Sequence, residues 1–385
     1  MELSVIILSY NVQHYVWQCI DSVLAAVEEI KAEVILVDNA SSDETLVSIA
    51  KDFPRVKLIA NADNIGFSRA YNQAVKQAKG TYLCILNPDT VVGESVFKTL
   101  LRSTMNQSNI GAIGTQFIDG RGCFLPECKR VVPTPLGSLR KLLGFAGQRD
   151  VYYHDSIAPD EEGPVSILAG AFLFLKRFEY VKIDGFDEHY FMFGEDIDFS
   201  YKLLLKGQQN YYLGTQKIIH YKGESTQKNR QYLERFYGAM VHFYKTHFSK
   251  SRFKVSLVSL VAQGLILWRG FWPKEQSAQV LSLKAVFWVS DSLEPSDALA
   301  NWLRQKVNVL NLDSFNRVTP EGLKNTPPEN ALLVFDRASM SYDTIIELMS
   351  SGASYGQRFR IWHSQNQLLI GSDSSDAHGE ALILR

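Results

Sequence analysis

Acidic side chains gather among aromatic residues between Gly185 and Ser225, in the stretch GFDEHYFMFGEDIDFSYKLLLKGQQNYYLGTQKIIHYKGES. Glu195 and Asp196 lie near its middle, and His220 follows near its end. A further carboxylate, that of Asp89, comes after an apolar run in LNPDT. Because carboxylates are costly to desolvate unless they bind a cation or move protons, these residues predict a metal-assisted transfer in which one carboxylate acts as a base.

Asp196 is the candidate base. It lies at the start of an expected helix that runs to Lys206, where acidic residues also interact favourably with the helix dipole. The preceding FMFG is too aromatic for a solvated helix start, and we expect Asp196 to face a pocket floored by Phe191 and Phe193. Burial of this kind raises the basicity of a carboxylate, which a general base needs.

Asp89 and His220 are the candidate metal ligands. Asp89 ends the sequence Asn87-Pro88-Asp89, where it could hold a hard divalent cation that bridges phosphate oxygens. The alternative is an ordinary turn, which Asn-Pro-Asp commonly forms. His220 ends the apolar run KIIH before a polar loop, so we interpret it as a second ligand, with a satisfied core histidine as the alternative.

The elements that must position these residues alternate between strands and helices. Apolar runs at 3–10, 32–40, 56–61 and 82–89 predict buried parallel strands, with helices at 43–52 and 67–79 between the later ones. This order predicts a doubly wound, Rossmann-like α/β domain, in which ligands bind beyond the carboxyl ends of the strands. Polar residues occupy three of those ends: Ser9, Tyr10 and Asn11; Asp38; and Asn87 with Asp89.

Two further features suit a nucleotide ligand at that edge. The carboxylate of Asp38 could accept a hydrogen bond from a nucleobase imide, whereas a helix cap is better supplied by Ser41 or Ser42. Gly66, preceded by Asn64, opens a helix whose first N–H groups could meet a phosphate or ribose.

Composition limits the functional classes. The chain has 385 residues and 46% hydrophobic residues, which suits two domains, or one large domain with an appendage, that bury a substantial core. Its net charge of −1 does not favour nucleic-acid binding by bulk charge. Four cysteines without a second ligand pair beside Cys123 and Cys128 predict unpaired thiols and a reducing, cytoplasmic location. The first ten residues read as a strand, so no signal peptide is expected.

The remainder of the chain suggests a loop, a connecting helix and a second unit. Between 114 and 164, Gly, Pro and basic residues predict a long binding loop or lid, before strand character returns at 165–177. Runs at 285–291, 307–313 and 331–336 predict strands of a small α/β unit. We expect a catalytic domain over 1–248, a connecting segment over 249–275 and a C-terminal domain over 276–385.

The uncharged run Val255–Trp268 is too short to span a bilayer, yet it has basic and tryptophan flanks. This composition favours a helix that lies in the membrane interface. A helix buried between the two domains is the alternative.

Taken together, SVIILSYN, VILVDNASSD, NIGFSRAYNQA, LNPDT, AGAF, GFDEHYFMFGEDIDFSYKLLLKG and IIHYKGES resemble glycosyltransferase family 2 with the GT-A fold, and in particular the rhamnosyltransferase-like enzymes of bacterial polysaccharide assembly. The resemblance covers roughly residues 1–245. It implies that Asp38 contacts the donor base, that Asp89 and His220 hold Mg²⁺ or Mn²⁺, and that Asp196 is the base. Asn87 departs from the family pattern, because it stands where a second carboxylate is expected.

The resemblance also implies the two sides of the site. The expected donor side comprises Ser9, Tyr10, Asn11, Asp38, Asn64, Gly66, Asn87 and Asp89, and the expected acceptor side comprises Gly170, Ala171 and Glu195.

The resulting prediction is an inverting, metal-dependent glycosyltransferase at the inner face of the cytoplasmic membrane. It would use a nucleoside diphosphate sugar, such as dTDP-rhamnose or a UDP-sugar, and a lipid-linked saccharide or growing cell-surface glycan. A sugar nucleotidyltransferase would need a glycine-rich loop after the first strand, and SYNVQHYVWQ contains no glycine. A non-catalytic glycan-binding or scaffold protein on the same fold is the alternative.

Overall fold

The computed structural model describes residues 1–104, 109–133, 153–224, 230–249, 251–271, 283–291, 294–310, 316–325, 328–375 and 377–385. Much of the predicted binding loop, residues 134–152, lies outside them.

A nine-stranded mixed sheet forms the N-terminal unit. Its strand order is β3-β2-β1-β4-β10-β6-β11-β5, with β8 paired to β11 beside this path. The strands are β1 (Leu3–Ser9), β2 (Ala32–Asp38), β3 (Lys57–Ala60), β4 (Tyr82–Leu86), β5 (Thr90–Val92), β6 (Ile110–Ile118), β8 (Glu162–Val165), β10 (Phe172–Lys176) and β11 (Gln209–His220). A separate short ribbon pairs β7 (Lys129–Arg130) with β9 (Ile167–Leu168).

The C-terminal unit contains a six-stranded sheet in the order β13-β12-β14-β15-β16-β17. Its strands are β12 (Ala285–Val289), β13 (Asn316–Val318), β14 (Ala331–Asp336), β15 (Arg358–His363), β16 (Leu368–Gly371) and β17 (Glu380–Ile383). The strands from β13 to β15 in this order run parallel, and the last two pairings are antiparallel.

Eleven helices lie in the described residues. They are α1 (Gln13–Ala26), α2 (Thr45–Asp52), α3 (Phe67–Val75), α4 (Val96–Thr104), α5 (Arg177–Lys182), α6 (Glu195–Leu205), α7 (Arg230–His247), α8 (Arg252–Phe271), α9 (Asp297–Val309), α10 (Pro320–Asn325) and α11 (Tyr342–Gly352).

The N-terminal strands follow from their apolar runs. Residues 3–7 of β1 and residues 83–86 of β4 are buried throughout, as expected for strands that carry helices on both faces. Parallel pairing of β1 with both β2 and β4 places their carboxyl ends at one edge of the sheet. The predicted polar clusters therefore meet there.

Three expectations about strands are corrected. The irregular segment does not begin at Gly114, because β6 continues to Ile118 as a central strand whose pairing with β10 and β11 outweighs its glycine content. The expected strand at 165–177 is interrupted between β9 and β10. The expected strand at 307–313 is wrong for its first residues, which end α9, and 311–313 lie outside the described residues.

The strand predicted at 307–313 is wrong at its start because the buried residues there follow the period of a helix. Leu299, Leu303 and Val307 are buried at intervals of four residues, so the apolar side chains form one face of a helix rather than alternating sides of a strand.

The two units share one buried apolar cluster. It includes Ile20 of α1 and Ile113 of β6 together with Phe335 of β14, Ile345 of α11 and Ile361 of β15. The C-terminal unit is therefore packed onto the N-terminal sheet through a common core.

Candidate active site

The loops after β1 and β2 are joined by hydrogen bonds at the carboxyl edge of the sheet. The parallel register places Ser9 beside Asp38, and both are fully buried. The carboxylate of Asp38 accepts hydrogen bonds from the backbone N–H (2.9 Å) and the hydroxyl (2.5 Å) of Ser41. The side-chain oxygen of Asn11 accepts a 2.7 Å hydrogen bond from the N–H of Ser42. Asp38 thus shapes this loop, and its contact with a nucleobase stays a prediction.

The turn before α3 is built around Gly66. Its N–H donates to Asn64 and its carbonyl accepts from the side chain of Asn39. Gly66 has φ +84°, and a Cβ there would lie 2.7 Å from the carbonyl oxygen of Phe191, so the loop before α6 approaches only because this residue lacks a side chain. Across the same edge, Tyr10 is 39% exposed and its ring is available to a ligand.

The turn at Gly170 and Ala171 connects the two acidic centres. The Asn87 N–H donates a 3.0 Å hydrogen bond to the carbonyl of Ala171, and the Gly170 N–H donates a 3.0 Å hydrogen bond to the carboxylate of Asp196. A Cβ on Gly170 would lie 3.1 Å from the Cβ of Asp196. One short turn is therefore hydrogen-bonded both to Asn87, two residues before Asp89, and to Asp196.

Asp89 and His220 meet because β5 pairs with β11. This pairing places His220 opposite Thr90, and the Tyr221 N–H donates to the Asp89 carbonyl. His220 Nε2 lies 3.5 Å from Asp89 Oδ1. Both side chains are buried, and within the described residues Asp89 Oδ1 and His220 Nδ1 have no hydrogen-bond partner. Unsatisfied oxygen and nitrogen atoms of this kind fit a divalent cation.

Two further carboxylates, those of Glu127 and Glu224, interact electrostatically with His220 and Asp89, respectively, and neither was among the site residues predicted from the sequence. Glu127 pairs with Lys222 at 2.6 Å; burial opposes its ionisation, but the Lys222 ammonium outweighs burial and holds the pKa of Glu127 below its usual value. Glu224 accepts a 2.7 Å hydrogen bond from the Gly379 N–H, and burial, together with the charge of Asp89, raises the pKa of Glu224. The one sequence signal for Glu224 is the polar character of the loop KGES in which it lies.

Arg130 contacts the candidate base. Its Nη2 donates to the Asp196 carboxylate at 2.5 Å and to the Leu168 carbonyl at 3.2 Å. The two charged side chains are 9% and 14% exposed, respectively, so their interaction is largely shielded from water. The sequence offered only the basic character of the preceding loop as a signal for Arg130.

The other acidic residues at the start of α6 have different surroundings. Glu195 is 6% exposed and its Oε2 lacks a described partner; burial first, and then the neighbouring Asp196, raises the pKa of Glu195 to about 8. Asp198 is buried beside His247 Nε2 (2.6 Å) and Lys202 (3.3 Å). Asp196 is thus the member of the three that combines a charged partner with the Gly170 turn.

Comparison with known proteins gives a match over the N-terminal part of the chain. Residues 4–153 match the family described as glycosyl transferase family 2. The N-acetylglucosaminyl-diphospho-decaprenol L-rhamnosyltransferase of Mycobacterium tuberculosis (strain ATCC 25618 / H37Rv) is 26% identical over 239 residues, which are 58% of this chain and 77% of that protein. The poly-beta-1,6-N-acetyl-D-glucosamine synthase of Staphylococcus aureus (strain COL) is 27% identical over 205 residues, 51% of this chain and 44% of that protein.

Solved structures give weaker likenesses. GalNAc-T7 with UDP, GalNAc and Mn²⁺ aligns with a TM-score of 0.48 and 17% identity, over 64% of this chain and 48% of that one. A mannosyltransferase from Pyrobaculum calidifontis in complex with GDP-Man and Mn²⁺ aligns with a TM-score of 0.45 and 17% identity, over 70% of this chain and 71% of that one. The family match and the mixed sheet confirm the predicted α/β class with a GT-A domain.

Proposed function

We propose that this chain, whose residues 4–153 match glycosyl transferase family 2, transfers a sugar, with inversion, from a nucleoside diphosphate donor to a hydroxyl of a lipid-linked or growing cell-surface glycan. The observation that carries this proposal is the Gly170–Ala171 turn, which is hydrogen-bonded to the Asn87–Asp89 segment on one side and to Asp196 on the other. A donor diphosphate at Asp89 would then lie next to a base at Asp196.

The donor side is the carboxyl edge of the N-terminal sheet. The loops of Asn11 and Asp38 are tied together there, and the ring of Tyr10 is exposed beside them. An exposed aromatic ring and an ordered polar loop suit a nucleobase and ribose. Two of the relatives are named as a rhamnosyltransferase and a poly-N-acetylglucosamine synthase, so we propose rhamnose and N-acetylglucosamine as the sugars to test first, supplied as dTDP-rhamnose and a UDP-sugar.

Asp89 and His220 are the residues that would hold Mg²⁺ or Mn²⁺. Their buried atoms without a hydrogen-bond partner are one carboxylate oxygen and one imidazole nitrogen, and the charges of Glu127 and Glu224 also act on this pair. A bound divalent cation would neutralise charge on the departing diphosphate. Asn87 supplies an amide where a second carboxylate is expected, so Asp89 is the essential anionic ligand of the motif.

Asp196 would accept the proton of the acceptor hydroxyl. As the acceptor oxygen forms its bond to the anomeric carbon, the bond from that carbon to the diphosphate oxygen breaks on the opposite face, and the diphosphate leaves with the electron pair. Arg130 and the Gly170 N–H fix the orientation of the Asp196 carboxylate. Glu195, whose pKa is raised, keeps its proton near neutral pH and adds no second negative charge beside the base.

Helix α8 would place the site near a lipid-linked acceptor. The side chains of Phe253, Leu260 and Val261 are 80%, 66% and 38% exposed, and basic residues occur before and after the uncharged run in the sequence. None of the helices in the described parts of the chain combines the length and apolar character needed to cross a bilayer. An interfacial position on the inner face of the cytoplasmic membrane therefore suits α8.

The proposed function is tested by release of nucleoside diphosphate from a panel of dTDP-, UDP- and GDP-sugars, with a prenyl-diphosphate-linked saccharide as acceptor. Turnover is expected with Mg²⁺ or Mn²⁺, and a chelator should abolish it. Asp196→Asn keeps the shape of the side chain but removes its basicity, so turnover should fall by about 10²-fold or more with little change in donor affinity.

Near-normal turnover by Asp196→Asn would show that another group is the base. Donor use that is the same in chelator would remove the metal from the proposal. Glycan binding without turnover of any nucleotide sugar would favour the scaffold alternative.

A further inference from the structure

A second cluster of metal-ligating side chains lies away from Asp89 and His220. Asp187 and His189 belong to the loop between α5 and α6, and His242 belongs to α7. His189 Nδ1 lies 2.7 Å from Asp187 Oδ1, and His242 Nε2 lies 2.9 Å from Asp187 Oδ2. The three candidate ligand atoms, one from each side chain, lie within 4.8 Å of one another.

Local contacts hold these side chains in place. The His189 N–H donates a 3.0 Å hydrogen bond to Asp187 Oδ1, and the Tyr190 N–H donates to the Asp187 carbonyl. The buried ring of Tyr190 packs edge-on against His242, with 4.8 Å between ring centroids. The carboxylate and the His242 imidazole are thus positioned by the fold and not only by each other.

The cluster has an open side. The His189 side chain is 79% exposed, whereas Asp187 and His242 are 23% and 27% exposed. An ion could therefore enter from solvent and complete its coordination with water. This is the arrangement of a site with three protein ligands and one open position.

We propose that Asp187, His189 and His242 form a binding site for a zinc-class divalent cation, separate from the ion that the transfer reaction would use. Two imidazole nitrogens and one carboxylate oxygen favour Zn²⁺, Co²⁺ or Ni²⁺ over Mg²⁺, which prefers oxygen ligands and resists losing its water. The carboxylate and single imidazole of Asp89 and His220, with further carboxylates nearby, are a harder set. The ligand types therefore distinguish the two sites.

Occupation of this site would fasten α7 to the loop that leads into the active site. On the same helix, Tyr232 and Phe236 pack edge-on against Phe193, with ring centroids 4.9 and 6.1 Å away. Phe193 immediately precedes Gly194 and the start of α6, which carries Asp196. A cation that joins Asp187 to His242 would stiffen the acceptor side without touching the reacting atoms.

The full-length chain is first stripped of metals with a chelator. Bound Zn²⁺ is then measured by equilibrium dialysis with metal analysis, and the visible spectrum is recorded after addition of Co²⁺. Three variants are compared with the wild type: His189→Gln with His242→Gln, Asp89→Ala with His220→Gln, and His154→Gln as a control histidine elsewhere. We expect the first variant to bind one Zn²⁺ fewer per chain and to lose the Co²⁺ absorption that the site produces. His154→Gln should keep both, and Asp89→Ala with His220→Gln should keep the Co²⁺ absorption of the Asp187, His189 and His242 site.

Thermal melts complete the experiment. Zn²⁺ should raise the melting temperature of the wild type and of His154→Gln, but not that of the first variant, because an ion that binds only the folded state stabilises it. If the double variant does not fold, His189→Gln alone serves, since its side chain is exposed, and its Zn²⁺ affinity should fall at least about tenfold. Unchanged Zn²⁺ binding in these variants, or no binding at micromolar Zn²⁺ by the wild type, would overturn the proposal. The readout does not depend on sugar transfer, so it can fail independently of the proposed function.

Discussion

Two adjacent carboxyl groups, those of Glu195 and Asp196, have opposite environments at the start of α6. Asp196 is held by Arg130 and the Gly170 N–H, whereas Glu195 is buried with an unpartnered Oε2. Burial and the neighbouring Asp196 raise the pKa of Glu195 to about 8. In the proposed mechanism, adjacent backbone positions therefore carry the proton acceptor, Asp196, and a carboxyl group whose raised pKa favours its neutral form, Glu195.

The raised pKa of Glu195 predicts a pH dependence of stability. The folded protein binds a proton at Glu195 that the unfolded chain releases near its ordinary value of 4.5, so stability from this group is complete below that value and is lost as the pH rises toward about 8. Glu195→Gln cannot lose this proton. Between pH 5 and pH 8, its melting temperature should therefore fall less than that of the wild type, as followed by circular dichroism.

The matched control is Glu188→Gln, because Glu188 is about half exposed and pairs at the surface with Arg69. Its melting curve should shift with pH as the wild type does. Parallel curves for Glu195→Gln and the wild type would show that Glu195 ionises in the folded protein as an ordinary glutamate does.

At the scale of elements, α8 exposes three large apolar side chains, those of Phe253, Leu260 and Val261. Phe253 and Leu260 are seven residues apart and share one face, with Val261 adjacent, while Ala262 is buried on another side. This exposure favours the interfacial position over the alternative of a helix buried between the two units, and flotation decides between the two predictions. The side chains of Leu257 and Trp268 lie outside the described residues.

Exposure of this face predicts binding to anionic membranes. The wild type should float with anionic liposomes and much less with neutral ones, and high salt should weaken the binding because the basic flanks contribute. Replacement of Phe253, Leu260 and Val261 by Ser should abolish flotation without changing the cooperative melt. If the wild type never floats, or the triple variant no longer melts cooperatively, α8 packs in the protein rather than on lipid.

At the scale of the whole molecule, a network of hydrogen bonds and ion pairs joins the C-terminal unit to the catalytic unit, in addition to the shared apolar core. The buried Tyr342 hydroxyl donates a 2.6 Å hydrogen bond to Asp21 of α1. The backbone N–H groups of Tyr342 and Asp343 both donate to Glu94, and Arg337 lies 3.4 Å from that carboxylate. Through Gly379 the same unit also holds Glu224 near Asp89.

This anchoring predicts that both units unfold together. Tyr342→Phe removes a buried hydrogen bond to a carboxylate, so the free energy of unfolding should fall by about 2 kcal/mol while urea still produces one transition. Tyr355→Phe is the control, because Tyr355 is 41% exposed on the same unit and should change stability by less than about 0.5 kcal/mol. Two separate transitions in the wild type would mean that the units are thermodynamically independent.

The sequence by itself determined the class of the fold and the position of its acidic centres. Apolar runs are local signals, and they located β1, β2, β4 and the polar residues at their ends. They could do so because a buried strand consists mainly of apolar side chains, which the sequence shows directly. Asp89, Asp196 and His220 could be selected for the same reason: each stands at the end of an apolar or aromatic run. The run at 307–313 was predicted to be a strand, and this prediction was wrong at its start because a short apolar segment is compatible with either a strand or the end of a helix.

Only the tertiary structure decided what these residues touch. Arg130 reaches Asp196 across 66 residues of chain, and Gly379 reaches Glu224 across 155. No periodicity links such residues, because their contacts arise from strand order and from the docking of one unit on another. The same holds for His242, which meets Asp187 only when α7 packs against the loop before α6. Local sequence patterns therefore determine which segments form helices and strands. Long-range packing determines which side chains contact each candidate site residue.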